Sequence, residues 1–436
     1  MPAKLARLPA YLARYAEADA MRAASRVSGS YERVLVVPSF DEPTNFLDPL
    51  IPADARNLLV IVVANIPDNA TQCAAEQTMA LLDRLGPAMR ETTFDAERNI
   101  AVLVMDRISQ PIPRQQGVGL ARKLGADCAA ALWHTGQIKQ SWIYSTDADV
   151  QLPNGYFTAP MPSRGVALFP FRHVATNAEV QRRADAYELH LRYYKNRLAW
   201  AGSAYAFHTL GSTLAVHPED YAIVRGFPRR NAGEDFYFLN KLAKVAAIHN
   251  LPGPTLTVGA RYSHRTPFGT GPALAKIDDA DAYTSYAASS FRSLRGVLTA
   301  FAQIDTHPFA QIDPHAQEIL TELGFAEFFA QARAQYANPD NLRKAIGDWF
   351  DAFRTLRFIH ECRRCYPDTH LGQTLGQLYP HLAGLPGAAQ LQQLRTMEKH
   401  GRQVTTAQVT TAQVTTAMGS ASHIREISPP RATPAP

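Results

Sequence analysis

The sequence predicts an α/β fold built on a largely parallel β-sheet with helices on both of its faces. Between residues 31 and 150, runs of apolar and β-branched residues alternate with segments of helical composition. These runs are apolar at every position instead of every second one, which is typical of strands buried on both faces. Ligands of such sheets bind at the carboxyl ends of the strands, so we expect chemistry just after each run.

Four buried strands make up the first half of the predicted sheet. They are predicted at residues 33–38, 58–63, 100–105 and 141–146, with helices between them at 70–85 and 115–134. Pro38 closes the first strand, because proline cannot donate to a central ladder. Shorter strands are predicted at residues 165–170, 211–216 and 255–258, and a polar helix at 177–199.

The remainder of the chain has a different character. After about residue 276 no strand-like run follows, and apolar residues such as Ile346, Trp349 and Phe353 recur at helical spacing. The last residues repeat QVTTA three times and end in prolines, a composition that predicts disorder. We therefore predict four segments: an N-terminal helix at 1–30, an α/β domain at 31–275, a helical region at 276–395 and a disordered tail at 396–436.

Composition restricts the classes of function. The 436 residues carry 44 Lys and Arg against 39 Asp and Glu, a net charge of +5. This mild charge suits anionic small molecules and permits peripheral membrane contact, whereas nucleic-acid binding is not expected without a dense basic stripe. Four cysteines fit a reducing compartment. No apolar run approaches the roughly 18 residues that span a bilayer, so we expect a cytoplasmic protein.

The sharpest chemical signal is a pair of acidic residues after the fourth strand. Asp147 and Asp149 follow residues 141–146 directly, separated by a single alanine. A tight turn at the end of a buried strand brings two such carboxylates onto one divalent cation. Mg²⁺ and Mn²⁺ prefer hard oxygen ligands and accept substrate phosphate oxygens at their remaining positions. We therefore expect a metal site at Asp147 and Asp149.

Four motifs follow one another in a fixed order within residues 31–275: VVPSFDE at 36–42, GVGLARKLG at 117–125, TDAD at 146–149 and GEDF at 233–236. Together they resemble the motifs of GT-A glycosyltransferases, especially the family 2-like group. The first resembles the segment that opens the nucleotide pocket in that family, and the second resembles the glycine-rich helix start that precedes the metal motif. The third matches the DxD motif, and the fourth matches the later acidic motif of the acceptor site.

The resemblance implies a Rossmann-like GT-A domain and a hexosyltransferase-type activity. Mn²⁺ or Mg²⁺ on the DxD carboxylates would hold the diphosphate of a nucleotide-sugar, with Asp149 as the closer ligand and Asp147 on metal or ribose. Asp235 would take the proton of the acceptor hydroxyl and Glu234 would orient it. Direct attack would invert the anomeric centre, although a late histidine and a helical C-terminal region also resemble retaining enzymes.

The same resemblance implies which residues bind the donor. Those expected at the opening of the nucleotide pocket are Pro38, Ser39, Phe40 and Glu42. The basic residues expected on the diphosphate are Arg122, Lys123, Arg261 and Arg265. His264 resembles a third metal ligand that some GT-A enzymes supply after the acceptor helix.

One position departs from the family pattern. The family usually carries an aspartate pair after the second strand, where this chain has Asn65 and Asp68. Either side chain is able to accept from a base N–H, so the nucleotide stays open between uridine, the default by resemblance, and guanosine. The acceptor hydroxyl cannot be assigned from the sequence.

Three other interpretations remain open at this point. A nucleotidyltransferase would share the sheet and the acidic site, but its usual glycine-rich basic loop is absent after the first strand. A non-catalytic scaffold on a degenerate GT-A fold is the second alternative. Finally, His360, Cys362, Cys365 and His370 have a spacing compatible with zinc, although a single CxxC pair on a helix is more often two packed thiols.

Overall fold

A computed structural model describes residues 7–263, 265, 268–304 and 312–399. Its strands are β1 (Arg33–Ser39), β2 (Leu58–Pro67), β3 (Glu91–Asp95), β4 (Ile100–Ile112), β5 (Ile143–Ser145), β6 (Val150–Gln151), β7 (Val166–Leu168), β8 (Phe171–Val174), β9 (Leu214–Val216), β10 (Ile248–Asn250), β11 (Leu256–Gly259), β12 (Thr284–Ser285) and β13 (Thr369–His370). Its helices are α1 (Arg7–Arg14), α2 (Ala18–Ala24), α3 (Leu47–Leu50), α4 (Gln72–Leu85), α5 (Gly117–His134), α6 (Ala178–Ala201), α7 (Pro218–Ile223), α8 (Glu234–Leu242), α9 (Thr270–Ala275), α10 (Ala288–Ala302), α11 (Pro314–Glu322), α12 (Phe325–Gln335), α13 (Pro339–Trp349), α14 (Ala352–Glu361), α15 (Leu371–Leu378) and α16 (Gly387–Lys399).

The main sheet has eight strands in the order β10-β7-β9-β5-β1-β2-β4-β3. β1 runs parallel to β2 and β5, and β2 runs parallel to β4. This confirms the predicted α/β class with a large, parallel-rich sheet. The sheet is nevertheless mixed, because β9 runs antiparallel to both β5 and β7. A smaller sheet has the strand order β6-β11-β8, and its strand β6 follows β5 in the sequence.

The strand predictions need correction at one boundary and at the strands that were missed, which are β3, β6, β8, β10, β12 and β13. The strand expected at 211–216 is β9 only from Leu214, since Gly211–Thr213 forms a 3₁₀ turn. β3 was not predicted at all, because this edge strand is polar and half-exposed and therefore lacks an apolar run. Both differences arise where tertiary contacts, and not local hydrophobicity, decide the backbone conformation.

The order of the strands reverses beside β1. From β1 the chain adds β2 and β4 on one side, and then returns to place β5 on the other side. In open α/β sheets the carboxyl ends of the strands on either side of such a reversal border a crevice that binds ligands. The crevice of this protein therefore lies between the ends of β1 and β5.

Helix α5 covers one face of the sheet at very close range. A Cβ atom on Gly125 would lie 2.3 Å from Val36 Cγ1, so only glycine permits this approach to β1. Val34 and Val36 face the apolar cluster under α5, α1 and α2, whereas Leu35 and Val37 face the cluster under α3 and α4. Successive residues of β1 are thus buried on opposite faces, as the unbroken apolar run predicts.

The region predicted to be helical contains helices α10 to α16 together with two short strands, β12 and β13. Its helices share one apolar core with α6, which includes Phe291, Phe358 and Leu375. The N-terminal segment contains two helices, α1 and α2, in place of the single helix predicted. The predicted tail begins too early, because α16 continues to Lys399 with its buried Leu394. Residues 400–436 lie outside the described residues.

Among the described helices, none is both long and apolar enough to cross a membrane.

Candidate active site

Three segments bring acidic side chains to the crevice. Glu42 follows β1 after a turn in which Asp41 adopts a φ of +54°. Asp147 and Asp149 follow β5, where the Thr146 backbone N–H donates to the carbonyl of Val36 in β1 at 3.1 Å. Glu234 and Asp235 open helix α8. The structure therefore brings together the acidic motifs that lie almost ninety residues apart in the sequence.

A single buried arginine joins two of these segments. Arg122 of α5 is only 3% exposed, and its guanidinium donates to Asp147 Oδ1 at 2.6 Å and to Glu234 Oε1 at 2.9 Å. It also donates to Ser145 Oγ at 3.0 Å. Burial disfavours the cation, but the carboxylates of Asp147 and Glu234 outweigh it and raise the pKa of Arg122. The planar guanidinium thus fixes the distance between the two acidic motifs.

The glycine-rich start of α5 allows the segment before α8 to approach this helix closely. A Cβ atom on Gly119 would lie 2.3 Å from the carbonyl oxygen of Pro228 and 2.6 Å from the backbone nitrogen of Arg230. The Gly119 backbone N–H donates to the carbonyl of Arg230 at 2.9 Å. The absence of a side chain therefore lets the segment before α8 pack directly on α5, which aligns Glu234 with Arg122.

Glu42, the acidic residue that follows β1, is held by two further arginines. Glu42, 7% exposed in its side chain, accepts from Arg261 and Arg265, each at 2.5 Å. Arg261 also lies 3.4 Å from Asp149 Oδ2, and Arg265 donates to the carbonyl of Phe40 at 2.7 Å. Arg261 follows β11 of the small sheet, so this sheet places its guanidinium beside Glu42 and Asp149.

The oxygen donors at the end of β5 fit a hard divalent cation. Burial, followed by the negative charges of Asp147 and Glu42, raises the pKa of Asp149 to about 7. A divalent cation between the carboxylates would relieve that repulsion. Within the described ranges, no group of three or more His, Cys, Asp or Glu side chains is arranged to hold a metal ion by itself. Two carboxylates leave the remaining positions to substrate and water, as Mg²⁺ commonly requires.

Backbone groups fix the orientation of the Asp235 carboxylate. Its Oδ2 accepts from the Gly211 N–H at 2.8 Å and its Oδ1 from the Phe236 N–H at 2.7 Å. Burial raises the pKa of Asp235, and burial together with Asp235 raises the pKa of Glu234 to about 7. A carboxylate with a raised pKa is a stronger proton acceptor at neutral pH.

The residues expected around the nucleotide occupy different positions. Pro38 and Ser39 lie at the end of β1, and the Ser39 hydroxyl has no hydrogen-bond partner within the described part of the chain. The Asn65 amide, oriented to satisfy its neighbours, donates to the carbonyls of Ser39 at 3.3 Å and Val63 at 3.1 Å. Asp68 is exposed and accepts from the Arg114 backbone N–H at 3.2 Å. Asn65 thus lies beside the end of β1, whereas the contacts described for Asp68 are with Arg114 and Ile112.

Lys123 does not belong to this site. Its ammonium donates to the Tyr11 hydroxyl at 2.6 Å and to Asp127 Oδ2 at 2.9 Å, in a buried cluster beneath α1. Successive residues of an α-helix point about 100° apart, so Arg122 and Lys123 cannot both face the crevice. The expectation of a diphosphate contact is therefore corrected for Lys123.

The sequence indicates three histidines as candidate metal ligands: His264, His360 and His370. His264 lies outside the described residues. The imidazole of His360 contacts the Tyr286 hydroxyl at 2.7 Å, and the imidazole of His370 contacts the carbonyl of Asp281 at 2.8 Å. These contacts direct the two rings toward groups other than Cys362 and Cys365. Sequence reasoning missed Ser145 and the Gly211 N–H, since nothing in a strand-like run indicates which backbone or hydroxyl group will meet a charged partner.

Comparisons with known proteins identify no family. No family model matches the chain, and no curated protein matches it. Among solved structures, the chain is similar to the mannosyltransferase PcManGT from Pyrobaculum calidifontis in complex with GDP-Man and Mn²⁺. The likeness covers 90% of this chain and 94% of that chain, with 15% sequence identity and a TM-score of 0.33. We therefore take the function from the geometry of the site.

Proposed function

We propose that this protein is a metal-dependent GT-A glycosyltransferase of the family 2-like type that transfers a sugar from a nucleotide-diphospho-sugar to an acceptor hydroxyl. One observation carries the proposal: Arg122 joins the acidic pair after β5 to the acidic pair that opens α8, at the crevice beside β1. A metal-binding pair and a proton-accepting pair held at a fixed separation are what a displacement between a diphosphate leaving group and a hydroxyl requires.

The donor side consists of Asp147, Asp149 and the two arginines on Glu42. Asp149 and Asp147 would hold Mn²⁺ or Mg²⁺, which supplies Lewis-acid stabilisation of the departing diphosphate. Arg261 lies 3.4 Å from Asp149, and Arg265 pairs with Glu42 next to it. Their forked donors suit phosphate oxygens as well as carboxylates, so we propose that they pair with the diphosphate when the donor enters. In the same proposal, Pro38, Ser39 and Asn65 border the nucleoside, which is uridine or guanosine.

The acceptor side consists of Asp235 and Glu234. Asp235 would accept the proton of the acceptor hydroxyl as that oxygen attacks the anomeric carbon. Its hydrogen bonds from Gly211 and Phe236 fix the direction of the carboxylate before the acceptor binds. Direct attack on the face opposite the diphosphate inverts the anomeric centre. Glu234 would not touch the acceptor in this proposal; it holds Arg122, which in turn holds Asp147.

Donor turnover tests the proposal without knowledge of the acceptor. Water replaces the acceptor slowly, so release of nucleoside diphosphate from UDP- and GDP-sugars, including GDP-mannose, should require Mn²⁺ or Mg²⁺. Asp235→Asn should slow release about 10²- to 10⁴-fold, the usual contribution of a general base, and Asp149→Ala should abolish it.

Asp48→Asn is the matched control, because Asp48 is an exposed carboxylate paired with Arg84 on the surface. It should leave the rate unchanged. Folded wild-type protein that releases no nucleoside diphosphate from any donor would contradict the proposal, as would an Asp149→Ala variant with the wild-type rate.

A further inference from the structure

A surface beside helix α8 combines three cations with three aromatic rings. We call it the basic–aromatic face, and its members are Tyr15, Arg225, Arg230, Tyr237, Lys241 and Phe353. Tyr237 and Lys241 lie four residues apart on α8, and therefore on the same side of that helix. Asp235 lies two residues before Tyr237 and points to another side of α8, so the basic–aromatic face and the acceptor side of the crevice share this one helix.

The three cations are close together and carry an unbalanced charge. In the part of the chain that the structure describes, no salt bridge joins Arg225, Arg230 or Lys241 to a carboxylate. Burial, Arg230 and Arg225 all lower the pKa of the Lys241 ammonium, which reflects the proximity of three like charges. Arg225 also adopts a φ of +63°, an uncommon conformation for a residue other than glycine.

Two acidic side chains of the adjoining elements are already paired. Glu17 pairs with Arg229 at 2.6 Å, and Asp351 pairs with Lys244 at 2.8 Å. These two pairs cancel their own charges and leave those of the basic–aromatic face in place. Such a face favours an anionic partner by charge complementarity.

The aromatic rings lie among the cations. The Arg225 guanidinium lies 4.5 Å from the centre of the Tyr15 ring, and that of Arg230 lies 3.9 Å from the Tyr237 ring. Phe353 stacks on Tyr237 with ring centres 6.2 Å apart. Tyr15 is 41% exposed and Phe353 is 47% exposed, although both are large apolar side chains.

We propose that the basic–aromatic face binds an anionic membrane surface. Cations would meet lipid phosphates, and exposed aromatic side chains next to them would lie at the level of the headgroups, where such rings are favoured. A single-stranded nucleic acid fits less well, because Arg230 and Phe353 already pack on the Tyr237 ring and bases need open aromatic platforms. The described helices include none that could span a bilayer, so the attachment is peripheral.

The location of this face adds a consequence that rests on the proposed function. Membrane attachment through α8 would bring Asp235 to within one helix diameter, about 10–12 Å, of the bilayer. The acceptor hydroxyl would then belong to a molecule at the membrane surface. Vesicle binding itself needs neither donor nor acceptor. A failure of vesicle binding therefore leaves the proposed transferase activity untouched, and a failure of donor turnover leaves the membrane proposal untouched.

Flotation of the full chain with lipid vesicles tests the proposal. The protein should float with phosphatidylcholine vesicles that contain phosphatidylglycerol and remain unbound with phosphatidylcholine alone. Each cation near an anionic surface contributes about a fivefold increase in partitioning. The triple variant Arg225→Gln, Arg230→Gln, Lys241→Gln should therefore bind about a hundredfold more weakly.

The matched control removes three exposed cations elsewhere: Arg56→Gln, Lys139→Gln and Lys276→Gln. It changes the net charge equally and should retain nearly all binding. Phe353→Ala, with all cations in place, should weaken binding even at high salt, where the electrostatic contribution is screened. No binding to anionic vesicles, equal losses in the two triple variants, or preferential binding of single-stranded RNA over vesicles would overturn the proposal.

Discussion

Removal of the Arg122 guanidinium should destabilise the fold and disconnect the two acidic motifs. In Arg122→Gln, the carboxylates of Asp147 and Glu234 lose the buried cation that contacts them at 2.6 and 2.9 Å. Removal of one partner of a buried ion pair typically costs about 3–5 kcal/mol of unfolding free energy. Arg122→Lys keeps the charge but not the fork, so it should lose about 1.5–3 kcal/mol for each charge-assisted bond that lysine cannot remake.

The size of this loss should depend on pH. Burial and Asp235 raise the pKa of Glu234 to about 7, whereas Arg122 opposes that rise. Without Arg122, the folded protein holds the Glu234 proton to still higher pH, while the unfolded chain releases it near 4.5. A raised carboxylate pKa gives stability that is present at low pH and is lost as pH rises. The deficit of Arg122→Gln should therefore grow between pH 6 and 8, by up to about 1.4 kcal/mol per pH unit for one proton.

Urea denaturation at pH 6 and pH 8 measures both quantities. Arg84→Gln is the control, because Arg84 pairs with Asp48 at 2.9 Å on the surface with both side chains about half exposed. Exposed pairs of this kind contribute about 1 kcal/mol or less. A loss in Arg122→Gln no larger than that in Arg84→Gln, or a deficit that shrinks as pH rises, would refute the role assigned to Arg122.

The remaining predictions concern packing and the acid stability of the fold. Gly125→Ala should destabilise the protein by about 1–3 kcal/mol, because the new Cβ would lie 2.3 Å from Val36 Cγ1. Gly296→Ala on α10 should instead stabilise the protein slightly, because a Cβ there meets nothing within 4 Å. Thermal melts of the two variants distinguish a lower melting temperature from a higher one. Although burial opposes ionisation, hydrogen bonds from His173 and Arg395 hold the pKa of Glu188 well below its ordinary value of 4.5. The stability that the Glu188 carboxylate provides is therefore present above pH 5 and is lost as pH falls further. Glu188→Gln should be less stable than wild type at pH 6, and its stability in urea melts should fall less steeply as the solution is acidified. An unchanged dependence of stability on acid pH would contradict this.

The sequence predicts the sheet well where burial alone decides the structure. β1, β2 and the first part of β4 are unbroken apolar runs because both faces of the sheet are covered. β3 follows no such rule, since a half-exposed edge strand needs no apolar run. The 3₁₀ turn before β9 could not be predicted either, because its backbone is determined partly by the Gly211 N–H that meets Asp235.

The candidate site shows the same division. Residues tied to strand ends, such as Asp147, Asp149 and Glu42, lie at the crevice, because the ends of β1 and β5 place them there. Arg122 was expected on a diphosphate, yet in the structure it joins Asp147 to Glu234, a partner 112 residues away that periodicity cannot reveal. Lys123 shows the reverse case, because a basic pair in the sequence does not indicate which of two adjacent helical residues faces the ligand.

Calorimetric titration with UDP- and GDP-sugars, with and without Mn²⁺, shows whether the crevice binds a nucleotide-sugar through a metal ion. We expect that one donor binds wild-type protein only with the metal, that Asp149→Ala loses this binding, and that Asp235→Asn retains it. Folded protein that binds no donor under either condition, or an Asp149→Ala variant that binds like wild type, would contradict the assignment of the crevice as a nucleotide-sugar site.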